Sequence, residues 1–213
     1  MELLELNKAV ENGKIKDVKT LVNAALEEGK GVQEILDTMI SAMGVVGDKF
    51  KNNQIFIPEM LVAARAMAAG TKILEPLMSD SGVKSLGTVV IGTVKGDLHD
   101  IGKNLCAMML RGIGATVYDI GVDAADAAFV EKAEEVNADI VCISALLTTT
   151  MPAIGDVVNE FKKNGVRDKY YLMVGGAPVT KAYSDEVGAD AYTPDASECA
   201  NVAEAFLKKK FNL

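Results

Sequence analysis

Apolar residues recur every three or four positions in the first third of the chain, and beyond it they come in short unbroken runs. Leu3, Leu6 and Val10 form a first stripe, which Asn12-Gly13 ends. Ile15, Val18, Leu21, Val22, Ala25 and Leu26 form a second, ended by Gly29, and Val32, Ile35, Leu36, Met39, Ile40 and Met43 form a third. Pro58 opens a fourth segment, carrying Leu61, Val62, Met67, Ile73 and Leu74, because proline fits the first turn of a helix. Steps of three and four put such residues on one face of an α-helix, where a strand would alternate. Four helices with short joints predict a small bundle over residues 1–78. From Ser79 to Leu86 small polar residues and a glycine break the pattern, which predicts a linker able to act as a hinge.

The runs Thr88–Thr93, Ala115–Tyr118, Ile140–Ser144, Tyr170–Val174 and Ala191–Tyr192 predict strands. Helical segments follow them at about 101–111, 125–136, 152–164, 180–187 and 196–209. Five β-then-α repeats predict a parallel sheet with helices on both faces, and right-handed crossovers favour a doubly wound sheet of order 2-1-3-4-5. The expected fold class is α/β. A four-helix bundle cap with its linker (1–86) precedes a Rossmann-like, flavodoxin-type domain with a five-stranded parallel sheet (87–213).

Charge narrows the partners. The 22 basic and 30 acidic residues leave a net charge of −8, and the one basic run, Lys208-Lys209-Lys210, suits a solvated helix end. Neither nucleic acid nor an anionic membrane is an expected partner. No apolar run approaches the ~20 residues of a membrane span. The start, Met1-Glu2-Leu3-Leu4-Glu5, lacks the basic region of a secretory signal. Cys106, Cys142 and Cys199 are odd in number and never at C-x-x-C spacing, so no disulfide framework and a cytoplasmic home are expected, with Cys106 in a helical stretch and Cys142 in an apolar strand as core thiols.

In open sheets of this kind ligands bind at the carboxyl ends of the strands, where the strand order reverses. After the first strand the chain reads Gly92-Thr93-Val94-Lys95-Gly96-Asp97-Leu98-His99-Asp100-Ile101-Gly102, and His99 is the protein's single histidine. The third strand leads into Ser144-Ala145-Leu146 and Leu147-Thr148-Thr149-Thr150, the fourth into Gly175-Gly176, and the fifth into Thr193. A loop histidine two residues after an aspartate suits a metal ligand backed by a carboxylate, or a general base oriented by Asp97. The bland alternative is a solvated loop histidine. Neither G-x-G-x-x-G nor G-K-[ST] is present, which removes the usual nucleotide-phosphate loops.

The spacing goes further. Asp97-x-His99-x-x-Gly102 is followed, after residues 103–143, by Ser144-x-Leu146 and, after residues 147–174, by Gly175-Gly176. This resembles the D-x-H-x-x-G, S-x-L, G-G signature of the corrinoid (B12-binding) family that includes the methionine-synthase cobalamin module and small corrinoid carrier proteins. Gly96–Leu105 is similar to its methyl-transferring branch, and Phe50–Met60 resembles the segment of the helical cap that covers cobalt. The resemblance implies a corrinoid (cobalamin, methylcobalamin or a relative) bound with its own base displaced. His99 is then the lower axial ligand to cobalt. Asp97 and Ser144 complete a hydrogen-bond relay with it. Gly102, Ser144, Leu146, Thr148, Gly175, Gly176 and Thr193 line the slot for the displaced tail, and Phe50 and Ile57 shield the reactive axial position. The implied function is a methyl carrier cycling between cobalt(I) and methylcobalt(III), with no complete activity of its own. The implied partners are a substrate-specific corrinoid methyltransferase, a second methyltransferase with a pterin or thiol acceptor, and a reductive activase. Two rivals share the His99 motif: the corrinoid subunit of an adenosylcobalamin-dependent mutase, which the helical cap disfavours, and a B12-sensing module, which the acidic charge disfavours if it must touch DNA. A flavodoxin-like domain with an incidental histidine is the third alternative.

Overall fold

The computed structural model describes residues 3–81 and 85–213. They form two compact units, one made of the residues up to Ser85 with Arg111–Gly114, the other of Leu86–Leu110 and Ala115–Leu213.

The first unit holds α1 (Leu3–Glu11), α2 (Ile15–Glu27), α3 (Val32–Lys51) and α4 (Ile57–Ser81). The stripes read from the sequence are its core: Leu6, Val10, Val18, Val22, Ile35, Met39, Met43, Met60, Met67 and Leu74 are all buried. α1 packs on α3, and α2 on α4. Gly70 lets α4 come close, since a Cβ there would stand 2.5 Å from Met39 Sδ and 3.0 Å from Val18 Cγ1. The expected linker begins too early. α4 passes through Pro76 and continues to Ser81, so the polar residues from Ser79 are still helical. Serine and aspartate are poor helix formers but not forbidden ones, and one proline removes only its own N–H from the ladder. Gly82–Lys84, the middle of the predicted linker, lie outside the described residues.

The second unit is a five-stranded parallel sheet of order β2-β1-β3-β4-β5: β1 (Thr88–Thr93), β2 (Thr116–Asp119), β3 (Ile140–Ser144), β4 (Tyr171–Gly175) and β5 (Ala191–Tyr192). The crossover helices are α5 (Ile101–Gly112), α6 (Asp126–Glu135), α7 (Pro152–Lys163) and α8 (Lys181–Val187), with α9 (Ala196–Phe211) closing the chain. β1 and β3 are almost continuously buried, as expected of strands covered on both faces, while β2 is a mostly exposed edge. Phe129, Phe161, Ile154, Val157 and Val158 from α6 and α7 fill one side of the sheet. β2 and β4 each begin one residue later than the sequence suggests. Before β4, the 3-10 turn Arg167–Lys169 takes up chain, so Gly175 is the last strand residue and not the first loop residue. This changes the site, because register then sets Thr93 beside Ser144, and Ser144 beside Gly175.

Candidate functional site

β1 ends at Thr93, and the chain must turn from strand to helix within seven residues. Val94 N–H donates to Ser144 C=O at 3.0 Å, which ties the turn to the end of β3. Gly96, at φ +81°, donates its N–H to Asp123 Oδ1 at 2.7 Å, and Asp123 N–H donates to Asp97 C=O at 2.9 Å. The loop from β2 thus holds the loop from β1 from one side.

Asp97 is fully buried and collects donors on both oxygens. Oδ1 accepts the His99 backbone N–H at 3.0 Å and lies 2.8 Å from His99 Nδ1. Oδ2 accepts Leu146 N–H at 2.8 Å and Thr150 Oγ1–H at 2.7 Å. Burial by itself would raise the acid's pKa. The hydrogen bonds from Thr150, from the Leu146 and His99 backbone and from the imidazole outweigh it and hold Asp97 well below the usual carboxylate range. An ionised Asp97 accepts only, so a neutral His99 carries its proton on Nδ1. The acceptor nitrogen, Nε2, makes no hydrogen bond to the described residues, and the ring is 51% exposed. Thr93 Oγ1 donates to His99 C=O at 2.9 Å, so backbone and ring are both fixed.

Around this imidazole the surface is apolar. Leu98 and Ile101 are each 72% exposed, and Leu146 and Leu147 stand out on the neighbouring loop. Solvating four large apolar side chains at a strand-end rim is unfavourable unless something covers them. Among the described residues no group of three or more His, Cys, Asp or Glu side chains is arranged to hold a metal ion. A metal at Nε2 would therefore take one protein nitrogen and bring its other ligands with it, as an ion in a macrocycle does. The donor set fits that kind of group. Gly102 adds to the fit, since a Cβ there would meet nothing within 4 Å. The glycine leaves open space beside the first turn of α5 that packing does not demand.

The remaining predicted residues divide. Ser144 is on the rim, between Thr93 and Gly175, but it is not among the donors to Asp97. Thr150 takes that place. It stands six residues on, where a helical turn brings its hydroxyl back over the carboxylate, while Ser144 still belongs to the strand. Replacing Thr150 by valine is expected to destabilise the apoprotein by about 1–3 kcal/mol, through loss of a donor to a buried charge. Ser144→Ala is expected to stay within about 0.5 kcal/mol. Urea unfolding of both variants checks the assignment. Thr148 is exposed on the same loop as Leu146. Gly175 faces Thr193, whose carbonyl a Cβ would meet at 3.0 Å. Gly176, at φ +128°, is a glycine for its neighbours' sake, since its Cβ would fall 1.8 Å from Ala145 C=O. In the helical unit Phe50 is half-buried near the end of α3, and Ile57 is exposed at the start of α4 beside the more exposed Phe56.

The sequence reading missed Thr150, and it missed Leu98 and Ile101, which flank His99 and Asp100 and are both exposed. It also treated the cysteines separately. Cys106 on α5, itself only partly buried, neighbours the buried Cys199 on α9, which also neighbours Cys142 on β3 and Thr193. The thiol partner and burial together push the Cys106 thiol far up, and Cys199, one of the most buried groups, is raised as well. Such thiols stay protonated and unreactive. Iodoacetamide at pH 8 is expected to label the native chain much more slowly than the urea-unfolded chain at these positions, as read by peptide mass spectrometry.

Fold and rim together define a protein in two parts: a helical region ahead of a Rossmann-like domain that presents one oriented imidazole at the topological switch point of its sheet. The chain belongs to the B12-binding domain family, whose models match residues 87–201 and, for the helical part, residues 3–75. It is 43% identical over 213 residues to dimethylamine corrinoid protein 1 of Methanosarcina mazei, covering 98% of this chain and 97% of that one. It is 44% identical over 189 residues to trimethylamine corrinoid protein 2 of Methanosarcina acetivorans, with 87% of each covered. The fold is shared with a chain of the methanol:cobalamin methyltransferase complex of Methanosarcina barkeri. The TM-score is 0.86 at 30% identity, over 96% of this chain and 79% of that one. A cobalamin-binding protein of Desulfitobacterium hafniense is also similar, with a TM-score of 0.79 at 28% identity over 96% and 98%. No helix among the described residues is long and apolar enough to cross a membrane.

Proposed function

We propose that the chain is a corrinoid-dependent methyl carrier of a methyltransferase system. It accepts a methyl group from a substrate:corrinoid methyltransferase and passes it to a second methyltransferase with a pterin or thiol acceptor, and a reductive activase returns it to the active state. The observation that carries this reading is a half-exposed imidazole, locked by a buried carboxylate through Nδ1, with no hydrogen bond at Nε2 among the described residues and with Leu98, Ile101, Leu146 and Leu147 exposed on its own and the neighbouring loop. A bound corrinoid supplies a cobalt ion that gains and loses the methyl group as it alternates between cobalt(I) and methylated cobalt(III).

The chain's residues do the rest. His99 Nε2 would be the chain's donor to that metal, a role open to the imidazole only as the neutral ring. Asp97 fixes the tautomer and the ring direction and raises the donor strength of the imidazole. Thr150 and the Leu146 N–H hold the carboxylate in place. Leu98, Ile101, Leu146 and Leu147 would be covered by the bound group and would exclude water beside His99. Gly102, Ser144, Thr148, Gly175 and Thr193 line the approach for the cofactor's tail, with Gly176 setting the distance between the loops after β3 and β4. Similarity to relatives named for dimethylamine and trimethylamine supports a methylamine-type donor system.

The test is transfer. The purified chain is loaded with hydroxocobalamin, reduced, and given 13C-labelled methyl iodide. Label retained on the protein-bound corrinoid, and then released to a thiol only when an acceptor methyltransferase is added, is the expected result. A reduced chain that takes up no label sinks the proposal. Comparing methylamine-specific and methanol-specific methyltransferases as donors then reads the substrate class.

A further inference from the structure

The first turn of α5, which follows His99 directly, is weak by composition. Gly102 is its second residue, Lys103 its third, and it contains no acidic side chain. Glycine costs about 1 kcal/mol relative to alanine in a helix, and a cation near a helix N-terminus opposes the macrodipole. Yet Lys103 is buried, with only 3% of its side chain exposed. Its ammonium lies 2.5 Å from Asp119 Oδ2, at the end of β2, and donates to Asn104 Oδ1 at 2.8 Å.

Following these bonds outward closes a circuit around the histidine. Asn104 Nδ2–H donates to Asp100 Oδ2 at 3.0 Å, and Asn104 N–H to Asp100 C=O at 2.7 Å, which grips the residue after His99. Asp119 Oδ1 accepts Gly121 N–H at 2.9 Å. Gly121 C=O accepts Thr93 N–H at 3.0 Å, and Thr93 Oγ1 returns to His99 C=O at 2.9 Å. Burying the Lys103 ammonium against a carboxylate that keeps 28% of its own side chain exposed is a poor device for stability alone, because an apolar side chain of similar volume fills that space at less desolvation cost. This one links the two ends of the histidine loop to the edge of the sheet.

We propose that Lys103 and Asp119 form a positioning pair that, through Asn104 and Asp100 on one side and Gly121 and Thr93 on the other, fixes the loop that presents His99 to the axial position of a corrinoid. The inference rests on the corrinoid reading for the identity of the ligand, and not for the effect on the imidazole.

His99 is the only histidine in the sequence, so a full-length chain grown with 15N-histidine reports on that ring alone. At one fixed pH, the wild-type apoprotein should show one neutral tautomer with the proton on Nδ1. Lys103→Met and Asp119→Asn are each expected to give a mixture of tautomers and to weaken hydroxocobalamin binding about tenfold, the scale of lost outer support at a ligating histidine. The double variant Lys103→Met/Asp119→Leu should be no worse than Lys103→Met. Asn104 is exposed. Asn104→Ala removes the link to Asp100 and one acceptor of the Lys103 ammonium while keeping its bond to Asp119, so it should shift the tautomer in the same direction with a smaller drop in urea midpoint than Lys103→Met. Should Lys103→Met fail to fold, Asp119→Asn and Asn104→Ala decide. Variants that keep the single tautomer and the wild-type affinity would reduce the pair to packing and overturn the proposal. A wild-type chain whose tautomer responds to the variants, but which binds no hydroxocobalamin, supports the positioning and overturns the corrinoid reading instead.

Discussion

Under the function proposed above, changing His99 to alanine is expected to abolish the protein's own bond to the metal, and of all single substitutions to change the bound cofactor most. Nε2 has no hydrogen-bond partner among the described residues while Asp97 engages Nδ1, and no other imidazole exists in the sequence to replace it. With the cobalt(II) form bound, the wild-type protein labelled with 15N-histidine should show the two-line nitrogen splitting of a spin-½ axial nucleus in its electron paramagnetic resonance spectrum. The unlabelled protein should show three lines. In His99→Ala the labelled and unlabelled spectra should coincide. Affinity for hydroxocobalamin should fall by about 100-fold or more, since loss of the ligand exceeds the 10–100-fold cost of losing its support. His99→Ala should nevertheless fold normally, because half of the ring is in solvent and only the Nδ1 bond to Asp97 is lost. A variant with wild-type nitrogen splitting would show that the axial atom comes from elsewhere.

Gly176→Ala is expected to cause the largest loss of stability, with no chemistry involved. The residue sits at φ +128°, where a side chain is strained, and its Cβ would overlap Ala145 C=O at 1.8 Å. Strain of that kind costs about 1–3 kcal/mol, and forcing backbone apart adds about 1–3 kcal/mol more. A total of about 3 kcal/mol or more should appear as a lower urea midpoint in the apoprotein. Gly102→Ala is the control, since a Cβ there meets nothing within 4 Å. It should keep apoprotein stability or raise it by up to about 1 kcal/mol, alanine being the better helix former, and weaken hydroxocobalamin binding if the space beside α5 receives the cofactor. The two glycines of one motif thus have different reasons to be glycine, and these experiments separate them.

Much of this was legible in the sequence because it depends on local periodicity. The helical stripes, the buried runs of β1, β3 and β4, and the order of the strands follow from spacing and from the handedness of crossovers. The position of His99 at the switch point follows in turn. Where local signals were weak the reading slipped. The polar stretch after Met78 looked like a break, yet α4 continues to Ser81. The fourth strand was placed one residue early because the 3-10 turn before it has no sequence signature of its own.

By itself, then, the sequence determined the two-part α/β architecture and put one imidazole, an aspartate two residues before it and a glycine-rich rim at the ends of the strands. Only the tertiary structure decided which groups meet there. Thr150, not Ser144, closes on Asp97; three cysteines far apart in the chain become neighbours; and Lys103 finds Asp119 at the sheet edge. The physical reason is that periodicity fixes which face a residue occupies, whereas a hydrogen bond needs two atoms within about 3 Å. That distance is set by loop conformation and by the packing of segments separated by many residues, and no spacing in a linear sequence records it.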